Sequence, residues 1–187
     1  DAEKIFLTTD HPNGGPFTSY PHLIKLLMDK TFRDDLLARL AVDISEHTIL
    51  KDIKREYTLS EIATMTRSAP AKILGLKNKG SLSLEADADI TVYDTRLNDV
   101  EEMFAHPSHV IKDGILVVEN GEIKDYIWGK TQVVRPEYDP SIEKKLDKHF
   151  KKYNTIGLSN FMISNDEMSE VIGSDVNIND CIRKRIS

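Results

Sequence analysis

Apolar residues recur mainly at helical spacing from Ser19 to Lys79, and after Gly80 the texture changes to strand-like alternation. "KIFLTTD" (4–10) is a short apolar run closing on two hydroxyl residues and an aspartate. It predicts a buried strand whose last residue, Asp10, faces a loop. "PNGG" then breaks the chain. Ser19 is placed to cap a helix with Pro21 in its first turn and Leu23, Ile24, Leu26 and Leu27 behind it. Thr31 and Asp34 offer a second start, with Leu36, Leu37 and Leu40 on one face. Thr58-Leu59-Ser60-Glu61 has the spacing of a capping box and leads into Ile62 and Met65. Ser68-Ala69-Pro70 reads as a further helix start, and Gly75 as its end.

Residues 81–94, "SLSLEADADITVYD", have strand character. Residues 109–127 predict a three-strand meander, because Asp113-Gly114 and Asn120-Gly121 supply the positive φ values of type I′ hairpin turns. Residues 140–153 predict a helix with Ile142, Leu146, Phe150 and Tyr153 along one face. Residues 155–164 read as a late strand, and the last twenty residues carry no assignable element. Three parts result: residues 1–79, a strand and helices; 80–140, antiparallel strands; and 141–187, a C-terminal extension. One buried strand without parallel neighbours is not a self-sufficient α/β arrangement.

Composition narrows the classes of function. The formal net charge of −6 argues against a general nucleic-acid binder or an anionic-membrane binder, since both need a basic face. No apolar run approaches the roughly 20 residues of a membrane span. Cys181 is the single cysteine, which excludes a disulfide framework and fits a reducing cytoplasm. The first residues have neither an initiator methionine nor the pattern of a signal peptide, so the chain is expected to begin inside a longer one.

Asp10 is the leading candidate for chemistry. At the end of a strand its carboxylate can ligate a divalent metal or act as a base; in a plain turn it caps its own backbone with help from Asn13, and His11 is then loop. His106 and His109 lie three residues apart, but Pro107 forbids a regular helix and no carboxylate or cysteine completes a metal set, which favours a surface loop. His22 and His47 lack partners at ligand spacing, and His149 sits among charged neighbours. "KHFKK" and "CIRKR" read as solvated basic surface. A phosphate loop and a nucleophile elbow are both absent.

Residues 65–94, "MTRSAPAKILGLKNKGSLSLEADADITVYD", resemble the C-terminal signature of the amidohydrolase superfamily, and "VIKDGILVVENGEI" (110–123) is similar to the strands that follow it there. With "TTDHPNGGPFTSYPHLIKLLMD" (8–29), the resemblance narrows to the family of formylmethanofuran dehydrogenase A subunits, of methanogens and related archaea. It spans about residues 4–138, with a weaker echo to 161. The resemblance implies a (β/α)8 barrel beside a small β-sandwich, with a binuclear zinc site. Asp10 matches the aspartate ending the eighth strand, implying a zinc ligand that also relays a proton. The implied reaction interconverts N-formylmethanofuran with formate and methanofuran. The implied partners are the other subunits of the dehydrogenase and the rest of the A subunit.

This chain has no His-x-His pair and at most one barrel strand, whereas a barrel typically needs about 250 residues. The expected fold class is therefore mixed α/β: the last barrel strand and its helices, plus part of an antiparallel sandwich. Alone it is expected to be inactive, to bind zinc weakly, and to cover its free strand edges with another copy. Another amidohydrolase of the dihydroorotase, hydantoinase or aminoacylase kind, and a non-catalytic assembly module, are the alternatives.

Overall fold

Side-chain caps start some helices of the first half and not others: Ser19, the expected cap of the first of them, makes no cap hydrogen bond. In the computed structural model, which describes residues 2–172 and 176–182, α1 runs Tyr20–Met28 with Pro21 in its first turn. Helix α2 spans Lys30–Arg39 and is capped by Asp29, whose side chain accepts from the Phe32 N–H at 2.8 Å. A short α3 (Val42–His47) follows. The capping box holds as expected: Thr58 accepts from the Glu61 N–H, and Glu61 accepts from the Thr58 N–H.

Leu59–Ala63 (α4) and Ala69–Ile73 (α5) were expected as separate helices and are joined through a π-helical segment, Thr64–Ser68. That wider turn accommodates Pro70, whose ring clashes with a regular helical interior. Gly75 ends the helix at φ 72°, with its N–H on Lys72 O and the Leu76 N–H on Ala71 O, a Schellman closure.

Ile24 and Leu27 of α1 pack against Ile62 and Met65 to make the buried core, with Leu7, Leu50, Ile53, Tyr57 and Phe104 partly buried around it. The fully buried Arg33 ties this region together. Its guanidinium donates to the carbonyls of Leu26 and Leu27, at the end of α1, and of Ile53 and Arg55. A cation near a helix C-terminus satisfies carbonyls that have no intrahelical partner. Helix α6 (Val100–Ala105), capped by Asp99, lies on α1 through a Lys25–Asp99 ion pair and a His22–Glu101 hydrogen bond.

Strands β1 (Ile90–Val92), β2 (His109–Lys112), β3 (Ile115–Glu119) and β4 (Glu122–Ile123) form an antiparallel sheet in that order. Asp113, Gly114, Asn120 and Gly121 all have φ between 48° and 81°, as the two predicted turns require. These elements belong to a unit of residues 1–127. The other unit, 128–187, pairs β5 (Thr131–Pro136) with β6 (Val176–Cys181) in parallel and contains α7 (Ile142–Tyr153) and α8 (Asn165–Ile172). The helix at 142–153 was legible in sequence; the β5–β6 pair was not.

Three expected elements differ. Residues 4–10 form no strand: a one-turn 3-10 helix, Ala2–Lys4, gives way to irregular chain, because no described strand offers this segment a parallel neighbour. The strand expected over 81–94 is confined to Ile90–Val92. The late strand at 155–164 is instead a 3-10 turn, Leu158–Phe161. Residues 183–187, among them 183–185 of the basic "CIRKR" cluster, lie outside the described residues.

Candidate functional site

Asp10 sits on an exposed turn with φ 51°, a left-handed conformation that costs a non-glycine residue energy but is tolerated by aspartate. Its N–H donates to Thr8 Oγ1 at 3.1 Å, and its carbonyl accepts from the Gly14 N–H at 2.8 Å. The backbone makes this turn, so the carboxylate is not consumed as its cap. Among the described residues that carboxylate has no hydrogen-bond or ion-pair partner. Gly14 is required by the close approach: a Cβ there would lie 2.6 Å from Thr9 O and 3.0 Å from Asp10 Cβ. His11 stacks on Phe17 with ring centroids 4.1 Å apart, which shapes the loop rather than presenting a second ligand. Among the described residues, no cluster of three metal-ligating groups includes Asp10.

The histidines remain separate. His106 faces Glu102 at 3.2 Å, His109 faces Glu119 at 3.9 Å, and His149 packs on Tyr153. Among the described residues, no cluster of three metal-ligating groups includes His106 or His109.

Three carboxylates that sequence reading passed over do converge: Asp87, Asp89 and Asp113. Two ammonium groups hold them. Lys79 reaches Asp87 at 2.7 Å and Asp89 at 2.6 Å, and Lys112 reaches Asp89 at 2.7 Å. Burial works to raise the Asp89 carboxyl, but Lys112, Lys79 and the Asp113 N–H hold it well below the usual carboxylate range. Burial likewise works against the Lys79 charge, and Asp87 and Asp89 nonetheless hold it above the ordinary lysine value. With two cations already engaged, this network ties the Ala86-Asp87-Ala88-Asp89 stretch to the β2–β3 hairpin.

A cavity of about 490 Å³ borders Leu7, Tyr20, Ile24, Arg67, Tyr93 and Phe104. Arg67 donates to the Tyr93 hydroxyl at 2.8 Å there. Nothing in the linear order of "MTRSAP" pairs Arg67 with a tyrosine 26 residues away.

Against known proteins, the model of the amidohydrolase family matches residues 2–118. The chain belongs to the amidohydrolase family. It is 41% identical, over 174 residues, to the A subunit of the formyltransferase/hydrolase complex Fhc of Methylorubrum extorquens, covering 93% of this chain and 32% of that protein. It is 35% identical over 177 residues to protein FwdA of Methanocaldococcus jannaschii, covering 89% of this chain and 31% of that protein. The solved structure of the FhcABCD formyltransferase/hydrolase complex from Methylorubrum extorquens, in complex with methylofuran, contains a chain similar to this amidohydrolase. The TM-score is 0.74 at 39% identity, over 97% of this chain and 33% of that one.

The family resemblance read from residues 8–29 and 65–94 thus holds across most of the chain. It also reaches beyond the archaea, because Methylorubrum is bacterial. The chain spans about a third of the length of these relatives. Among the described residues, no helix is long and apolar enough to cross a membrane.

Proposed function

We propose that this chain is the C-terminal portion of an A-type amidohydrolase subunit that interconverts N-formylmethanofuran with formate and methanofuran in a cytoplasmic multi-subunit complex. The observation that carries this reading is the 41% identity to the Fhc protein of Methylorubrum over 93% of the chain. The mixed α/β content, with an antiparallel sheet after the helices, supports the finer assignment of residues 1–79 to the end of a (β/α)8 barrel and of 80–140 to part of a sandwich.

Asp10 supplies what this segment contributes to the site. Its carboxylate is exposed and without a partner among the described residues, a hard oxygen donor suited to a divalent cation. Four-coordinate zinc needs several such donors, so the described residues fit a share of a binuclear site and not the whole. Bound zinc supplies Lewis acidity and a water of lowered pKa at neutral pH. Asp10 would hold an ion through one carboxylate oxygen and pass a proton to the departing amine nitrogen. The left-handed turn, fixed by the Gly14 N–H, aims the carboxylate without occupying it.

The test compares the complete subunit with this 187-residue chain, counting bound zinc and following formate release from an N-formyl amine. The reading expects two zinc ions and turnover in the complete subunit, and neither in this chain alone. Stoichiometric tight zinc or turnover in this chain alone contradicts it.

A further inference from the structure

His11 and Phe17 stack across the loop that carries Asp10, with ring centroids 4.1 Å apart and planes 25° from parallel. His11 is the residue after Asp10, so its Cα lies about 3.8 Å from that of the candidate zinc ligand. Both ends of the stack are anchored. On the His11 side the Gly14 N–H closes the Asp10 turn at 2.8 Å. On the other, Pro16 leads into a one-turn 3-10 helix, Phe17–Ser19, which continues directly into α1.

Phe17 is nonetheless 63% exposed, and it is the one large apolar side chain between Asp10 and Ser19. A protein interface takes about 800 Å² from each partner, far more than one ring offers. A single open aromatic face suits a small flat group instead, since aromatic rings attract one another in offset or edge-on contact. Loops held by a rigid scaffold are also where binding residues concentrate.

We propose that Phe17 recognises the substrate by stacking on the furan ring of its amine, beside the amide bond that Asp10 serves. The inference rests on the proposed reaction and deepens it: the amine there carries a furan ring, which is flat, aromatic and uncharged. Asp10 cannot read that ring, because an ionised carboxylate only accepts hydrogen bonds and the furan oxygen has none to give. Phe17 presents the apolar face that the ring requires, and His11 covers the opposite face of the phenyl group.

The complete zinc-loaded subunit is assayed with N-formylfurfurylamine and with its saturated analogue, N-formyltetrahydrofurfurylamine. The two share shape and oxygen and differ in aromaticity. Phe17→Ala is expected to raise KM about tenfold more for the furan amide than for the saturated one, with the zinc content unchanged. Phe17→Tyr, which keeps the ring, is expected to restore the ratio. A collapsed loop would raise both KM values together, so the ratio separates recognition from folding. Free furfurylamine, titrated by ligand-detected NMR, gives a readout without turnover, and Phe17→Ala is expected to weaken its binding about tenfold. Formate release from neither amide by the unmodified subunit contradicts the proposed reaction and leaves the furfurylamine titration to decide this inference. Equal KM changes for the two amides in Phe17→Ala overturn it. So does furfurylamine binding that is missing from the unmodified subunit or independent of Phe17.

Discussion

Lys79 lies 2.6 Å from Asp89, and through that pair the "KG" turn after the long helix is bound to the "ADAD" stretch that opens β1. The signature that identifies the family is therefore a structural device as well as a label. Removing Lys79 takes the ammonium from Asp87 and leaves Asp89 with Lys112 alone, a cost between that of a surface pair and a buried one. Lys79→Met is expected to destabilise the chain by about 1–3 kcal/mol in urea unfolding.

The same network fixes the acid response. The folded-state Asp89 pKa lies below its ordinary value of 3.8, so its stabilisation is fully present above that value and is lost as pH falls below it. Glu61 behaves alike: the Arg55 guanidinium and the Thr58 N–H hold it at about 2 instead of 4.5. Its contribution at the helix start is present above pH 4.5 and fades between that value and about 2. Carboxyl titration by NMR should find Glu61 near 2, and Arg55→Ala should bring it back towards 4.5.

Gly80 separates two effects that glycine substitutions often mix. At φ 76° a Cβ would stand 2.7 Å from Ala71 Cβ and 2.8 Å from Arg67 O, so Gly80→Ala adds a clash to backbone strain. Gly114 has φ 81° but open space around it. Thermal unfolding is expected to show a loss of about 1 kcal/mol for Gly114→Ala and about 2–4 kcal/mol for Gly80→Ala.

Arg33 makes a sharper prediction. Its buried guanidinium reaches four carbonyls from two segments, and Arg33→Ala takes this donor from Leu26, Ile53 and Arg55, while Leu27 O keeps the Tyr57 N–H. A loss of about 3–5 kcal/mol is expected, and Arg33→Lys recovers only part of it, because one ammonium cannot span both segments. Urea unfolding of the two variants checks the order.

Local signals in the sequence were legible. The Thr58/Glu61 capping box, the Gly75 stop and the two I′ turns depend on residues within a few positions of one another, and each formed. Contacts between distant residues were not legible. Arg33 reads as one more charge on a polar helix, and β5 with β6 requires pairing 45 residues apart. The strand expected at 4–10 fails for a related reason, since its apolar pattern describes a place between neighbours that the described residues do not supply. Asp10 was found in sequence as a candidate; the structure adds that its backbone, and not its carboxylate, closes the turn.

The rate of formate release from an N-formyl amine by the complete zinc-loaded subunit carrying Asp10→Asn tests the central claim most directly. Asparagine keeps the size and tolerates the left-handed turn but can neither carry the charge nor accept the proton. The account predicts a fall of about 10²–10⁴-fold with the fold intact. Turnover within about threefold of the unmodified subunit, a difference of under about 1 kcal/mol, would contradict it.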